Sequence, residues 1–233
     1  MFGENHAHIF MNALDYRQAV KDHKNGPDEK LIREHLKAYQ RTQVSFVRDG
    51  GDYLHVSLRA REIAPEYGID YRTPVFAIHK KGHYGGIVGR SFETMKEYAA
   101  LVQEVKQENG DFIKIMTTGI MDFDTDGSVT GSSLSFQEVK EMVHIAHEEG
   151  LSVMSHTNGA RAVKEAALAG ADSIEHGNYV DTEAVNIMAE KGTIWVPTIT
   201  VVKNLLGKGR FSDQILSKIW EQGKENIRKG YDA

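Results

Sequence analysis

Short apolar runs alternate with longer segments of helical period from about residue 90 onward, and this alternation constrains the fold most. The runs typical of strands lie at 112–116, 151–154, 172–175 and 193–196. Between them, apolar residues recur near helical spacing over 136–145, 160–169 and 182–191. Repeated βα units of this kind pack as a parallel sheet covered by helices. The pattern therefore predicts an α/β protein.

The first half of the chain repeats this rhythm less regularly. It adds candidate strands at 2–9, 44–47 and 75–78, and candidate helices at 31–39 and 53–63. A last helix is predicted over 211–231. The resulting seven strands are one short of a closed (β/α)8 barrel. We therefore predict one domain over 1–233, a TIM-type barrel that stops after strand seven and helix seven and is incomplete at its C-terminus.

The composition of the sequence narrows the classes of partner and the kinds of active site that are possible. The formal net charge of −5 is spread without a basic stripe, which argues against nucleic acid or an anionic membrane and favours a small-molecule substrate. The sequence has no cysteine, so a thiolate zinc site and a cysteine nucleophile are excluded. Any metal must be held by nitrogen and oxygen. With no signal peptide and no long apolar run, we expect a cytoplasmic protein.

Four histidines lie at or near predicted strands. His6 and His8 stand two apart, which places both side chains on one face of a strand. His156 and His176 each follow a short apolar run directly. Barrel active sites are built at the carboxyl ends of the strands, so the four imidazoles are expected to converge and to suit zinc or a similar divalent ion. For His6 and His8 alone, a chance pairing near the terminus is the alternative.

Lys114 is a lone cation inside the apolar run 112–116. A lysine buried in a core is costly unless it is paired or altered. One interpretation is a stem that packs while the ammonium reaches solvent. The other places Lys114 beside metal ions, which would repel an ammonium, whereas a neutral amine can react with carbon dioxide to give a bridging carbamate. A metal site therefore requires a modified Lys114.

Together these residues resemble the amidohydrolase superfamily, most closely its imidazolonepropionase and Xaa-Pro dipeptidase branch. The resemblance rests on the His6-Ala7-His8 motif, Lys114, His156 and the Ser-Ile-Glu-His-Gly segment that contains His176. It extends to residues 47–51 and 170–177 and so covers nearly the whole chain.

The resemblance implies a hydrolase with two divalent metal ions, most simply zinc. His6 and His8 would hold the more buried ion, His156 and His176 the more exposed one, and carboxylated Lys114 would bridge them. A metal-bridging hydroxide would attack an amide or a related C–N bond, in a dipeptide, an N-acyl amino acid or a cyclic amide. Related barrels cleave phosphotriesters or lactones, or deaminate bases, and the bridging lysine argues against the single-metal deaminases.

Two features of the family have no counterpart in this sequence. The aspartate at the end of strand eight, which shuttles a proton, is not matched, so no catalytic residue is assigned. The flanking β-sandwich domain is also missing, and we expect the whole protein to be longer. The alternative function is therefore a metal-binding but catalytically incomplete barrel fragment, which needs further C-terminal residues or a partner chain. Association into a homo-oligomer is compatible with either function.

Three residues are candidates for substrate contacts. His83 and Tyr84 lie in a Gly-His-Tyr-Gly-Gly segment after the third predicted strand. Asn158 stands two residues after His156, where members of this branch often carry a second histidine. The loops predicted over 11–28 and 117–133 would determine the substrate. The second contains Asp122, Asp124 and Asp126, but it lacks the closing glutamate of a calcium loop.

Overall fold

The structure is a computed structural model that describes residues 1–12 and 15–233. The chain forms two compact units. The first comprises Met1–His79 and Gly85–Lys114, and the second comprises Lys80–Tyr84 and Ile115–Ala233.

The strands and helices follow one another through both units. The strands are β1 Phe2–Ala7, β2 Val44–Asp49, β3 Asp70–Arg72, β4 Ala77–Lys80, β5 Gly89–Phe92, β6 Ile113–Met116, β7 Val153–Thr157, β8 Ser173–His176 and β9 Ile194–Val196. The helices are α1 Tyr16–Asp22, α2 Glu29–Arg41, α3 Val56–Ile63, α4 Met95–Gln107, α5 Phe136–Glu148, α6 Ala160–Leu168, α7 Thr182–Lys191, α8 Thr200–Leu205 and α9 Asp213–Asp232. A 3-10 turn, Ala64–Tyr67, follows α3.

In the first unit, β1, β2 and β3 form a parallel sheet in that order. Ala7 lies opposite Asp49, so the carboxyl ends of β1 and β2 meet at one edge. Helix α2 begins at Asp28, whose carboxylate accepts two backbone N–H groups of the first turn. Ile32 and Leu36, one helical turn apart, are buried and form the inner face of that helix.

In the second unit, β7, β8 and β9 run parallel in that order. His156 lies opposite Glu175, and Thr157 lies opposite His176. Both histidines are therefore at the carboxyl end of their strands. Helix α6 packs against α5 and α7, as expected for successive βα units.

The structure confirms an α/β fold with parallel strands. Strands β3 and β5 and helices α1, α4 and α8 were not predicted. Strand β3 has only three residues, two of them charged and exposed, and β5 begins with glycine, so neither has an apolar run. The loop predicted over 11–28 is wrong in part because Asp15 caps helix α1 within it, and residues 13 and 14 lie outside the described part of the chain.

None of the helices in the described residues combines the length and the apolar character needed to cross a bilayer.

Candidate metal centre

His6 and His8 lie on one face at the carboxyl end of β1. Both are half-buried, whereas Ala7 and Ile9 between and after them are buried. Their ring centroids are 5.4 Å apart in an edge-to-face arrangement. The alternation expected from strand geometry therefore brings these two imidazoles together.

The segment after His8 is held by Asp49 at the end of β2. The fully buried Asp49 carboxylate accepts hydrogen bonds from Ile9 N at 2.7 Å, Gly51 N at 2.7 Å and the Tyr71 hydroxyl at 2.6 Å. Burial raises the pKa of Asp49 to about 7, while these three donors act in the opposite direction. Asp49 thus joins the ends of β1, β2 and β3.

The His8 ring is oriented by the Gly50-Gly51 segment. Its Nδ1 lies 3.1 Å from the Gly51 carbonyl oxygen, which can only accept, so Nδ1 carries the proton and Nε2 the lone pair. A side chain at Gly50 would come within 2.7 Å of Nε2. Nδ1 of His35 on α2 binds the carbonyl oxygen of Ile9 at 2.7 Å. The sequence indicates no partner for His35, and a bracing salt bridge was expected for Asp49, which instead accepts hydrogen bonds from Ile9, Gly51 and Tyr71.

Lys114 lies in β6 with 1% of its side chain exposed, between the buried residues Ile113 and Ile115. Its Nζ atom is also buried. The interpretation in which the ammonium reaches solvent is therefore wrong. A buried ammonium is unfavourable unless it is compensated or chemically altered.

His156 in β7 is buried, and its Nε2 lies 3.0 Å from the carbonyl oxygen of Gly119. A carbonyl only accepts, so Nε2 carries the proton and Nδ1 the lone pair. The Asn158 side-chain amide donates to the same oxygen at 3.0 Å. The Tyr84 ring lies 5.0 Å from that of His156, centroid to centroid. Two of the three predicted substrate residues thus adjoin His156.

The third, His83, is only partly buried, and its Nδ1 lies 3.2 Å from the carbonyl oxygen of Ser132 in the loop before α5. That contact orients His83 toward the loop, and its place in substrate binding stays a prediction.

His176 ends β8 with a left-handed backbone, at a φ of 69°. Its Nδ1 is 2.6 Å from the hydroxyl oxygen of Thr198, and the indole N–H of Trp195 donates to its carbonyl oxygen at 3.0 Å. The next residue is Gly177, where any side chain would collide with that indole. The His176 and His156 ring centroids are 4.5 Å apart.

The donor chemistry of these rings fits a divalent ion. His8 and His156 each have one ring nitrogen bonded to a backbone carbonyl, and His176 has one bonded to a hydroxyl. Metal-binding histidines are typically held in this way, with the opposite nitrogen left for the ion. Among residues 1–12 and 15–233, no group of three or more histidine, aspartate or glutamate side chains could hold a metal ion by itself. Each pair therefore needs further ligands.

The fold and these pairs define a parallel α/β protein that presents imidazoles at the carboxyl ends of its strands. The family model described as the amidohydrolase family matches residues 59–230. Because this match covers well over half of the sequence, the chain belongs to the amidohydrolase family. The matched region contains Lys114, His156 and His176, whereas His6 and His8 precede it.

Curated relatives match parts of the chain. Ochratoxinase of Aspergillus niger is 27% identical over 150 residues, which are 64% of this chain and 30% of that protein. An uncharacterized protein of Mycobacterium tuberculosis is 33% identical over 69 residues, 30% of this chain and 19% of that protein. The chain therefore spans less than a third of the length of these relatives.

Two solved structures show the same fold over 99% of this chain. A Xaa-Pro dipeptidase with methionine bound in its active site is 24% identical, with a TM-score of 0.76, and 62% of that protein is covered. The Aspergillus niger ochratoxinase structure is 18% identical, with a TM-score of 0.77, and 60% of it is covered.

Proposed function

We propose that this chain is the metal-binding part of a hydrolase that cleaves an amide or a related C–N bond. The observation that carries this proposal is the His156 and His176 pair in a chain of the amidohydrolase family. Their rings lie 4.5 Å apart, and one nitrogen of each is held by a protein oxygen. The likeness to a Xaa-Pro dipeptidase and to an ochratoxinase supports the same bond class.

We assign one divalent ion to His6 and His8 and a second to His156 and His176, with carboxylated Lys114 as the bridging ligand. The complete burial of Lys114 supports this role because a bound carbamate is better compensated in a core than a bare ammonium. Zinc is the proposed metal, since neutral imidazoles and a carboxylate-like oxygen are among its common ligands.

When bound, such ions supply a Lewis acid and a nucleophile derived from water at neutral pH. The residues of the chain fix the geometry. The carbonyl groups of Gly51 and Gly119 hold His8 and His156 in opposite tautomers, so that Nε2 of the one and Nδ1 of the other carry lone pairs. Rings fixed in advance need little reorganisation when an ion binds.

The substrate we propose is a small amide with an amino acid portion, such as a dipeptide, an N-acyl amino acid or a cyclic amide. Tyr84 and Asn158 would contact it because both adjoin His156. We also propose that His83, which precedes Tyr84 in the sequence, contacts the substrate. We further propose that the βα units belong to a (β/α)8 barrel, which the TM-scores above 0.7 support.

Metal analysis combined with hydrolysis assays tests this function. We expect the parent chain to carry two zinc ions and to hydrolyse at least one member of a panel of Xaa-Pro dipeptides, N-acyl amino acids and cyclic amides. His176→Ala should lose one ion and nearly all activity. The control is His144→Ala, because His144 is an exposed histidine on α5. Two bound ions with no hydrolysis would contradict the proposed activity and favour the catalytically incomplete alternative.

The bridging lysine has its own test. Lys114→Met keeps the buried stem and removes the amine, so it should lose metal while remaining folded. Growth with 13C-labelled bicarbonate should give a carbamate signal in the parent that is absent in Lys114→Met and present in the exposed control Lys140→Met. Retention of both ions by Lys114→Met would contradict the bridging role.

A further inference from the structure

Thr198 lies in the loop between β9 and α8 with an unusual backbone conformation. Its φ is 44°, in the left-handed region. A β-branched side chain there is a genuine outlier, because Cβ and its substituents crowd the backbone. Strained residues persist only where the surrounding structure holds them, and they cluster at functional sites. The backbone strain at Thr198 therefore indicates a functional role for the contact that its side chain makes.

That contact is with His176. The Thr198 hydroxyl oxygen lies 2.6 Å from His176 Nδ1. Trp195, three residues earlier, holds the backbone of the same histidine through its indole N–H. Gly177 leaves room for that indole, since any side chain at this position would overlap it. His176 is thus fixed at its backbone by β9 and at its ring by the loop that follows.

The direction of the Thr198 contact decides what the ring can bind. If the hydroxyl donates, Nδ1 holds the lone pair and Nε2 the proton. If it accepts, Nδ1 holds the proton and Nε2 presents its lone pair. The second arrangement is that of His8, whose Nδ1 donates to a carbonyl oxygen, and the first is that of His156, whose Nε2 does so.

We propose that Thr198 is a positioning residue for His176: its hydroxyl accepts a hydrogen bond from Nδ1 and so directs the lone pair of Nε2 toward the bound cation. The metal-binding part of this inference rests on the proposed function. The tautomer part does not, because it concerns the metal-free chain. Trp195 contributes by holding the His176 backbone in its left-handed conformation.

Two substitutions separate the effect of the Thr198 hydroxyl from the effect of the shape of its side chain. Thr198→Val keeps the branched side chain and the backbone strain but removes the hydroxyl. Thr198→Ser keeps the hydroxyl and removes the methyl group. Thr200→Val is the matched control, since Thr200 is exposed at the start of α8.

The first measurement is nitrogen-15 NMR of the imidazoles in the metal-free chain, with His176 assigned by comparison with His176→Gln. The parent, Thr198→Ser and Thr200→Val should show His176 protonated at Nδ1, whereas Thr198→Val should show a mixture of tautomers. The same tautomer in Thr198→Val as in the parent would overturn the inference.

The second measurement is cobalt(II) affinity, followed by absorption spectroscopy. His176→Ala should lose one ion. Thr198→Val should bind that same ion about tenfold to a hundredfold more weakly than the parent does. Thr198→Ser should recover most of that affinity. Undiminished affinity in Thr198→Val would overturn the metal-binding part. A parent that binds no cobalt would overturn the proposed function instead, and the tautomers alone would then decide the role of Thr198.

Discussion

At the scale of single residues, Asp49 connects the ends of three strands through one buried carboxylate. Asp49→Ala removes both acceptor oxygens, so all three buried donors lose their partner. At pH 8 the ionised carboxylate also carries the burial cost that raises its pKa to about 7, which offsets part of this effect, and we expect a net loss of about 1–3 kcal/mol in the free energy of unfolding.

Urea denaturation at pH 8 measures this effect. Asp70→Asn on β3 is the control, because its pair with Arg72 is exposed and is worth about 1 kcal/mol at most. Equal losses in the two variants would contradict the bridging role of Asp49.

Gly50 is predicted to be required for the position of His8. A methyl group at this position would lie within 2.7 Å of Nε2, so Gly50→Ala must displace the ring. We expect the cobalt affinity of the ion assigned to His6 and His8 to fall about tenfold or more. Gly3→Ala in β1 is the control, since a side chain there makes only an ordinary 3.5 Å contact with Phe46. An unchanged affinity in Gly50→Ala would remove His8 from the proposed site.

The positions of the candidate ligands could be predicted from the sequence, because they depend only on strand phase and on where the apolar runs end. The residues that orient them could not. His35 is 26 residues from Ile9, whose carbonyl it contacts, and Thr198 is 22 residues from His176. The Gly119 carbonyl is a backbone group, so its contact with His156 cannot be inferred from residue types. Such contacts depend on the path of the loops in three dimensions, which the periodicity of apolar residues does not determine.

At the scale of elements, the side chain of Lys80 at the end of β4 pairs with Glu138 in the first turn of α5. The hydrogen bond from Lys80 is the main reason that the pKa of Glu138 is lowered to about 2. A lowered carboxylate pKa stabilises the folded state above the ordinary value near 4.5, and this contribution is lost as the pH falls toward 2.

Glu138→Gln therefore tests a pH dependence. Glutamine keeps the capping arrangement with Ser135 but cannot titrate. We expect the parent to exceed Glu138→Gln in unfolding free energy by about 1 kcal/mol at pH 7, because the pair is partly exposed. The difference should shrink between pH 4.5 and pH 2. Glu141→Gln, an exposed change on the same helix, should show no such trend. A difference that is constant with pH would contradict the ion pair.

Element boundaries were predictable where local chemistry marks them. Helix α7, predicted over 182–191, is Thr182–Lys191 in the structure, with Asp181 as its cap and Gly192 in the left-handed conformation at its end. Strand β3 could not be found because its pairing with β2, not an apolar pattern, defines it.

At the scale of the whole molecule, bound metal should stabilise the fold because it binds the native state far more strongly than the unfolded chain. Removal of metal with a chelator should lower the thermal midpoint, and zinc should restore it. Free zinc at one hundred times its dissociation constant corresponds to about 2.7 kcal/mol. His176→Ala should show a smaller gain from zinc, and the control His144→Ala the full gain. A midpoint indifferent to zinc and chelator would contradict metal binding.

The fold class could be predicted from the βα rhythm alone, and family membership agrees with the motif-based resemblance. The chain covers 62% and 60% of the two similar solved structures, so the barrel and the substrate stay proposals.

We infer that the histidines at the strand ends hold catalytic metal ions. Anomalous X-ray scattering at the zinc edge from crystals of the zinc-loaded chain tests it most directly. We expect two peaks, one within bonding distance of His6 and His8 and the other within bonding distance of His156 and His176, together with density for a carbamate on Lys114. Peaks elsewhere, or no peak beside His156 and His176 at saturating zinc, would contradict metal binding by these histidines.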